Sequence, residues 1–189
     1  ILELLKQFDI KNLSKSDYYH IYVEAVKIAY SLRDKFLGDP KYQKLDLMNL
    51  IQENIIKNYA YKINLNYASD ADVSDFPEHK DTIYLTVKDK NGMTISFINS
   101  LFDQFGSGIT VPQTGILLHC RGKSFSLKEN HPNQISGRKR PLHTIIPGMI
   151  GKNDDVVGSF GVMGGHYQAA GHAFILSQIL DFHLSPQCA

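Results

Sequence analysis

The sequence lacks the features that mark several large function classes. No apolar run approaches the roughly 20 residues a membrane-spanning helix needs, so no membrane segment is read. Only two cysteines occur, Cys120 and Cys188, and they form no Cys-x-x-Cys pair. Neither a disulfide framework nor a cysteine-rich metal site is expected from them. The net charge is +1 and the densest basic run is Arg138-Lys139-Arg140, too little concentrated charge for a nucleic-acid footprint. His-Glu-x-x-His, a Walker loop ending in Gly-Lys-Ser/Thr and Gly-x-Ser-x-Gly are all missing. Gly106-Ser107-Gly108 opens like a dinucleotide fingerprint, but Val111 stands where the third glycine belongs. His166 and His172 are six apart, which does not set them on one helical face at ligand distance. No metal and no organic cofactor is expected. A reduced compartment is compatible with the cysteine usage, so a cytoplasmic setting is favoured, with periplasmic or secreted settings left open.

What is present is an ordinary globular composition, 43% hydrophobic and 21% charged over 189 residues. That length holds one domain with a core, or part of a larger one. The start at Ile1 without Met, and the end at Pro186-Gln187-Cys188-Ala189 just past a helical pattern, read as two ends cut from a longer protein. Residues 1–8 read as the tail of a helix. Ser14 to Asp17 supply caps for a second over 18–37, with Tyr22, Val26, Ala29, Arg33 and Phe36 as its face. Asp46 caps a third, striped by Leu47, Leu50, Ile51, Ile55 and Tyr59. Residues 64–81, with Asp70, Asp72, Asp75, Glu78 and Pro77, read as an acidic exposed linker. Strands are expected at 82–88 and 93–99 around an Asn91-Gly92 turn, and again at 115–119, 142–146 and 156–162. A helix is expected over 166–182. Helices, then strands, then a helix favour α+β layers over alternating βαβ units.

Several stretches are similar to the gamma-glutamyltranspeptidase family, in family order and spacing. They are Glu24-Ala25-Val26-Lys27-Ile28-Ala29-Tyr30 with Arg33-Asp34 and Leu37-Gly38-Asp39-Pro40; Thr82 with the turn at 89–92; Phe105-Gly106-Ser107-Gly108-Ile109; Gly115-Ile116-Leu117-Leu118; Lys139-Arg140-Pro141-Leu142; and the run from Gly161 to Gly165. The resemblance implies an αββα four-layer sandwich of the N-terminal-nucleophile hydrolase type, incomplete in this chain. It implies a precursor that cuts itself between Asp81 and Thr82. Residues 1–81 would then be the C-terminal part of a large subunit and 82–189 the N-terminal part of a small one. It also implies Thr82 as nucleophile, with its freed α-amine as base, because an α-amino pKa near 7.7–8.0 suits a base at neutral pH. Ser100 falls where the family has a second Thr that orients the nucleophile. Gly164 and Gly165 match its oxyanion glycines.

The donor pocket departs from the family. Phe102 replaces an Asn, Arg121 and Ser124 take positions that contact the donor's α-amine, and His143-Thr144 replace a Ser-Ser pair. A carboxylate partner for an ammonium is lost and a guanidinium gained, which favours an anionic acyl group. The expected activity is amide hydrolysis or acyl transfer on a small-molecule amide or gamma-glutamyl substrate such as glutathione. The alternatives are a cephalosporin-acylase-like amidase on another acyl group and an inactive binding scaffold.

Overall fold

The computed structural model describes residues 1–70 and 82–189. Asp72, Asp75, Pro77, Glu78 and Asp81 therefore lie outside the described residues. The chain packs as two compact units, one formed by Ile1–Ser74, Phe125–Leu142 and Ala173–Ala189, the other by Asp75–Ser124 and His143–His172. These units are defined by packing, whereas the division expected after residue 81 concerns a covalent cut.

In the first unit, helix α1 (Leu2–Leu5) is followed by α2 (Lys15–Phe36) and α3 (Glu53–Ala60). Ser14 caps α2 as expected, its Oγ accepting the Asp17 N–H at 3.1 Å. The buried face is rotated one residue back from the expected stripe: Tyr18, Ile21, Glu24 and Ala25 are the α2 residues that lie inside. Ile21 and Ala25 join Leu4, Leu5, Ile56 and Ala60 in the core. Glu24 is the polar member of that face. Burial raises its pKa, but Lys27 Nζ at 2.7 Å and the Ser69 hydroxyl more than offset this and hold it below the ordinary value. The expected third helix is broken. Asp46 does cap a turn, accepting from Met48 N–H at 3.0 Å, but Leu47–Ile51 is a 3-10 helix, and Gln52, at ψ 144°, restarts the chain into α3. Among the described residues no helix is long and apolar enough to cross a membrane.

The second unit is built on two antiparallel hairpins. Strands β1 (Ile83–Lys88) and β2 (Thr94–Asn99) pair with Ile83 opposite Asn99 and Lys88 opposite Thr94. Their turn is tied by Asp89, whose Oδ1 accepts the N–H groups of Asn91 and Met93, both at 2.8 Å. Gly92 there has φ +90°, a conformation glycine adopts without Cβ strain. Strands β3 (Gly148–Lys152) and β4 (Asp155–Phe160) turn through Asn153 and Asp154, both at positive φ, as a tight two-residue hairpin requires. Hydroxyls and a lysine join the hairpins: Ser96 Oγ donates to Gly148 O at 2.9 Å, Thr86 bonds Ser159, and Lys88 Nζ reaches Val156 O at 3.0 Å.

Two expected strands do not form. Residues 115–119 contribute only an isolated Thr110–Leu117 bridge, because the positive-φ glycines 106, 108 and 115 interrupt extended backbone. Residues 142–146 give their N–H groups to side chains: Leu142 to Asn133 Oδ1, Ile145 to His143 Nδ1 and Ile146 to Gln168 Oε1. Strand β3 has no strong sequence signal, since Pro147, Gly148 and Gly151 dilute it. The last helix, α4 (Gln168–Leu180), starts after a 3-10 turn at Gly165–Tyr167.

The first unit's core centres on Ile21, which is 0% exposed. Ile21→Ala should lower the unfolding free energy by about 2–5 kcal/mol, the cost of a buried aliphatic truncation. Equilibrium urea unfolding checks this. A loss below about 1 kcal/mol, outside that range, would move the core's centre elsewhere.

Candidate active site

The β1–β2 register builds the first half of the site. Residues facing each other across this hairpin have numbers that sum to 182, as in Ile83 and Asn99. One further step sets Thr82 opposite Ser100. There Thr82 Oγ1 donates to Ser100 Oγ at 3.2 Å, and the same Oγ accepts the Phe102 N–H at 3.0 Å. Two hydroxyls expected from the sequence to cooperate are therefore brought together.

Phe102 is the hub that the sequence did not reveal. It is 2% exposed and has φ +82°. A bulky non-glycine residue held there costs about 1–3 kcal/mol, which the surroundings must impose. Its ring receives the Arg121 guanidinium at 5.3 Å and the His166 ring edge-on at 5.8 Å. Arg121 Nη1 in turn donates to Thr144 Oγ1 at 3.1 Å. Direct contacts thus connect Thr82 to Ser100, Phe102, Arg121 and Thr144. A second branch runs from Phe102 to His166, the residue after the glycine pair.

Gly164 and Gly165 have φ of +114° and +58°. A Cβ on Gly164 would meet Tyr167 at an ordinary 3.4 Å, so it is conformation and not space that demands glycine there. The strand-to-helix turn just before them is held by His172. This buried ring accepts the Val162 N–H on Nε2 at 3.1 Å and packs on Phe160 at 4.7 Å. Gly161 lies against the Tyr84 ring, where a Cβ would clash. His166 and His172 serve different neighbours, and no group of three or more His, Cys, Asp or Glu suited to a metal occurs among the described residues.

The expected substrate-contact residues divide. Arg121 is 3% exposed and Thr144 6%, and they are bonded to each other. Ser124 is half-buried in the same 3-10 turn as Arg121. His143 is exposed, with Nδ1 accepting the Ile145 N–H at 3.2 Å. Desolvation, then Arg121 and then His119, push its pKa below the usual histidine value. Burial likewise lowers the Arg121 pKa, yet a guanidinium stays charged near neutrality.

The sequence profile described as Gamma-glutamyltranspeptidase matches residues 1–189. The Glutathione hydrolase-like YwrD proenzyme of Bacillus subtilis is 37% identical over 190 residues, 100% of this chain and 36% of the relative. The Oxamate amidohydrolase proenzyme of Klebsiella pneumoniae is 32% identical over 183 residues, 95% of this chain and 34% of the relative. A solved cephalosporin acylase from Bacillus halodurans matches with TM-score 0.85 and 34% identity over 97% of this chain and 33% of that one. A gamma-glutamyltranspeptidase from Pseudomonas nitroreducens matches with TM-score 0.52 and 27% identity over 55% of this chain and 58% of that one. The chain spans about a third of the length of the curated relatives it matches. The α+β class and the N-terminal-nucleophile type of sandwich expected from the sequence both stand, represented here in part.

Burial holds the His172 pKa below the usual histidine value, so the unfolded chain binds its proton first as pH falls. The associated stability is complete above the unfolded value of about 6.5 and is lost as pH falls through the folded value. His172→Phe should remove this acid-side loss and, by stranding the Val162 N–H, lower stability at pH 8 by about 1–3 kcal/mol. Unfolding curves at pH 8 and pH 5 for both proteins check this. Equal acid losses would remove His172 from the account.

Proposed function

The chain belongs to the gamma-glutamyltranspeptidase family of N-terminal-nucleophile amidases, and on that footing we propose that it carries the nucleophile of a self-cleaving amide hydrolase or acyl transferase. The nucleophile is Thr82. The observation that supports this reading best is the 3.2 Å bond from Thr82 Oγ1 to Ser100 Oγ, with Ser100 anchored in turn by the Phe102 N–H. A strand-opening threonine with no catalytic task has no need of a second hydroxyl held by a strained neighbour.

In the precursor, Thr82 Oγ1 attacks the carbonyl carbon of the preceding peptide bond. The acyl group moves from nitrogen to oxygen, water hydrolyses the resulting ester, and Thr82 gains a free α-amine. Residues 1–81 and 82–189 then belong to the large and small subunits of one precursor. In turnover, the α-amine takes the Oγ1 proton as Oγ1 attacks the substrate's amide carbon. The tetrahedral oxyanion is met by the backbone N–H groups of Gly164 and Gly165, each such donor being worth about 2.7–4 kcal/mol. The C–N bond breaks, the leaving amine carries off the proton, and water or an acceptor amine releases the acyl group from Thr82. No step calls for a metal or organic cofactor. Ser100 positions Thr82, and Arg121, Ser124, His143 and Thr144 form the acyl-binding side.

Family membership leaves the acyl group open. The relatives' names divide between glutathione hydrolase and oxamate amidohydrolase, and cephalosporin acylase is among the solved structures.

Mass spectrometry of the full-length gene product checks the central step. The wild type should yield a fragment beginning at Thr82, Thr82→Ser should cleave, and Thr82→Ala should stay whole and inactive. A folded wild type that never cleaves would leave the chain as a binding scaffold.

A further inference from the structure

The turn that carries Gly164 and Gly165 is held by two contacts that leave no room for a side chain. At its start, Gly161 faces the ring of Tyr84 on β1, and a Cβ there would lie within 2.7 Å of three ring atoms, Cγ, Cδ2 and Cε2. From α4, Gly171 faces the turn, and a Cβ there would lie 2.6 Å from Val162 Cγ1 and 2.8 Å from Tyr167 Cε1. Neither glycine has a positive φ, so close approach and not backbone conformation accounts for both. Tyr84 is itself fixed. Its O–H donates to Ser96 Oγ at 3.1 Å, because the Ser96 proton goes to Gly148 O on β3 at 2.9 Å. Burial raises the Tyr84 pKa, but the Ser159, Ser96 and Thr86 hydroxyls more than offset this and hold it below the ordinary phenol value. Side chains alternate faces along a strand, so Tyr84 shares its face of β1 with Thr82 and Thr86. That face carries, in steps of two, the Thr82 hydroxyl, a ring against the start of the glycine turn, and a hydroxyl bonded to Ser159 on β4, the strand leading into the turn.

We infer that Tyr84 is a positioning residue: its ring sets the distance between Thr82, two residues back on β1, and the backbone N–H groups of Gly164 and Gly165, and Gly161 lacks a side chain so that the ring can come this close. The inference rests on Thr82 being the nucleophile and on the glycine pair meeting the oxyanion. A side chain at position 161 would push the turn away from β1. Val162 can absorb little of that push, since its N–H is held by His172 Nε2 at 3.1 Å and its side chain packs on Gly171. The displacement therefore passes into the turn. Oxyanion donors act over a narrow range, about 2.7–3.1 Å from the oxygen they stabilise, so a small shift removes their effect. Tyr84 needs no contact with the substrate and transfers no proton. The role belongs to the ring: its hydroxyl bonds fix how the ring stands, and its bulk fixes the gap.

The test is a size-swap cycle in the full-length protein: Gly161→Ala, Tyr84→Ala and the double variant, with Tyr84→Phe to keep the ring. Turnover is read on glutaryl-p-nitroanilide and γ-glutamyl-p-nitroanilide, and urea unfolding is followed in parallel. Gly161→Ala and Tyr84→Ala should each lower kcat by about 10²-fold, the cost of a misplacement near 1 Å, with KM little changed. Independent losses would multiply to about 10⁴-fold, whereas the double variant should lose no more than about 10²-fold, because the new methyl enters space the ring has left. Tyr84→Phe should retain at least about 10-fold more of kcat than Tyr84→Ala. In urea, Gly161→Ala should lower the midpoint more in the wild type than in the Tyr84→Ala background. That comparison reads the contact whether or not either amide is turned over. Tyr84→Val, which suits a strand, replaces Tyr84→Ala if that variant does not fold. Multiplying losses in kcat, or equal midpoint losses in both backgrounds, would overturn the spacing role. A folded wild type that never cleaves would instead overturn the nucleophile reading, and with it the catalytic use of the spacing, even where the urea cycle shows the two residues coupled.

Discussion

The register of the β1–β2 hairpin is the constraint on which the candidate site depends. Side chains alternate faces along a strand, so a one-residue slip would send Thr82 and Ser100 to opposite sides of the ribbon. The turn prevents that slip. Asp89 accepts two turn N–H groups and Gly92 takes the positive φ that closes it. A device seven residues downstream of Thr82 therefore decides what its hydroxyl meets. The same face of the hairpin carries Tyr84, Thr86 and Ser96, and through them it joins β3 and β4.

Strain and charge are concentrated around one residue. Phe102 has a backbone angle unfavourable for a bulky side chain, yet its N–H and its ring both find partners. Strained residues of this kind persist where the surroundings over-determine them, and such places are often functional. In this chain the over-determination links the Thr82–Ser100 hydroxyl pair to a buried guanidinium. A second support lies just before the glycine pair, where His172 accepts the Val162 N–H. The His172 support is a single hydrogen bond to a buried ring, and losing one partner there costs more than the bond itself contributes.

The sequence-level reading succeeded where a local cause suffices. Ser14 caps α2 because its oxygen answers an orphan N–H within the next turn. The 83–88 and 94–99 strands follow from β-branched runs flanking a turn. The reading failed where the cause is distant. Residues 142–146 look like a strand, but their N–H groups go to side chains that include Asn133 and Gln168. The helix expected after Asp46 breaks at Gln52 although its apolar stripe continues. The α2 face is set by what α1 and α3 present to it, and so it sits one residue from the stripe that spacing alone selected.

Residue types and order were enough to identify the family and the α+β class, and the resemblance they carry was enough to expect Thr82 and Ser100 as a pair, a role for the glycine pair, and Arg121 at a donor-contact position. These are properties of short motifs, whose chemistry is carried by the residues themselves. Only the tertiary structure decided that Phe102 is the hub, that Arg121 is buried with its Nη2 unpartnered among the described residues while His143 is exposed, and that His172 supports the glycine turn. Burial, backbone angle and the presence or absence of a partner arise from contacts between residues far apart in the chain, and no local pattern encodes them.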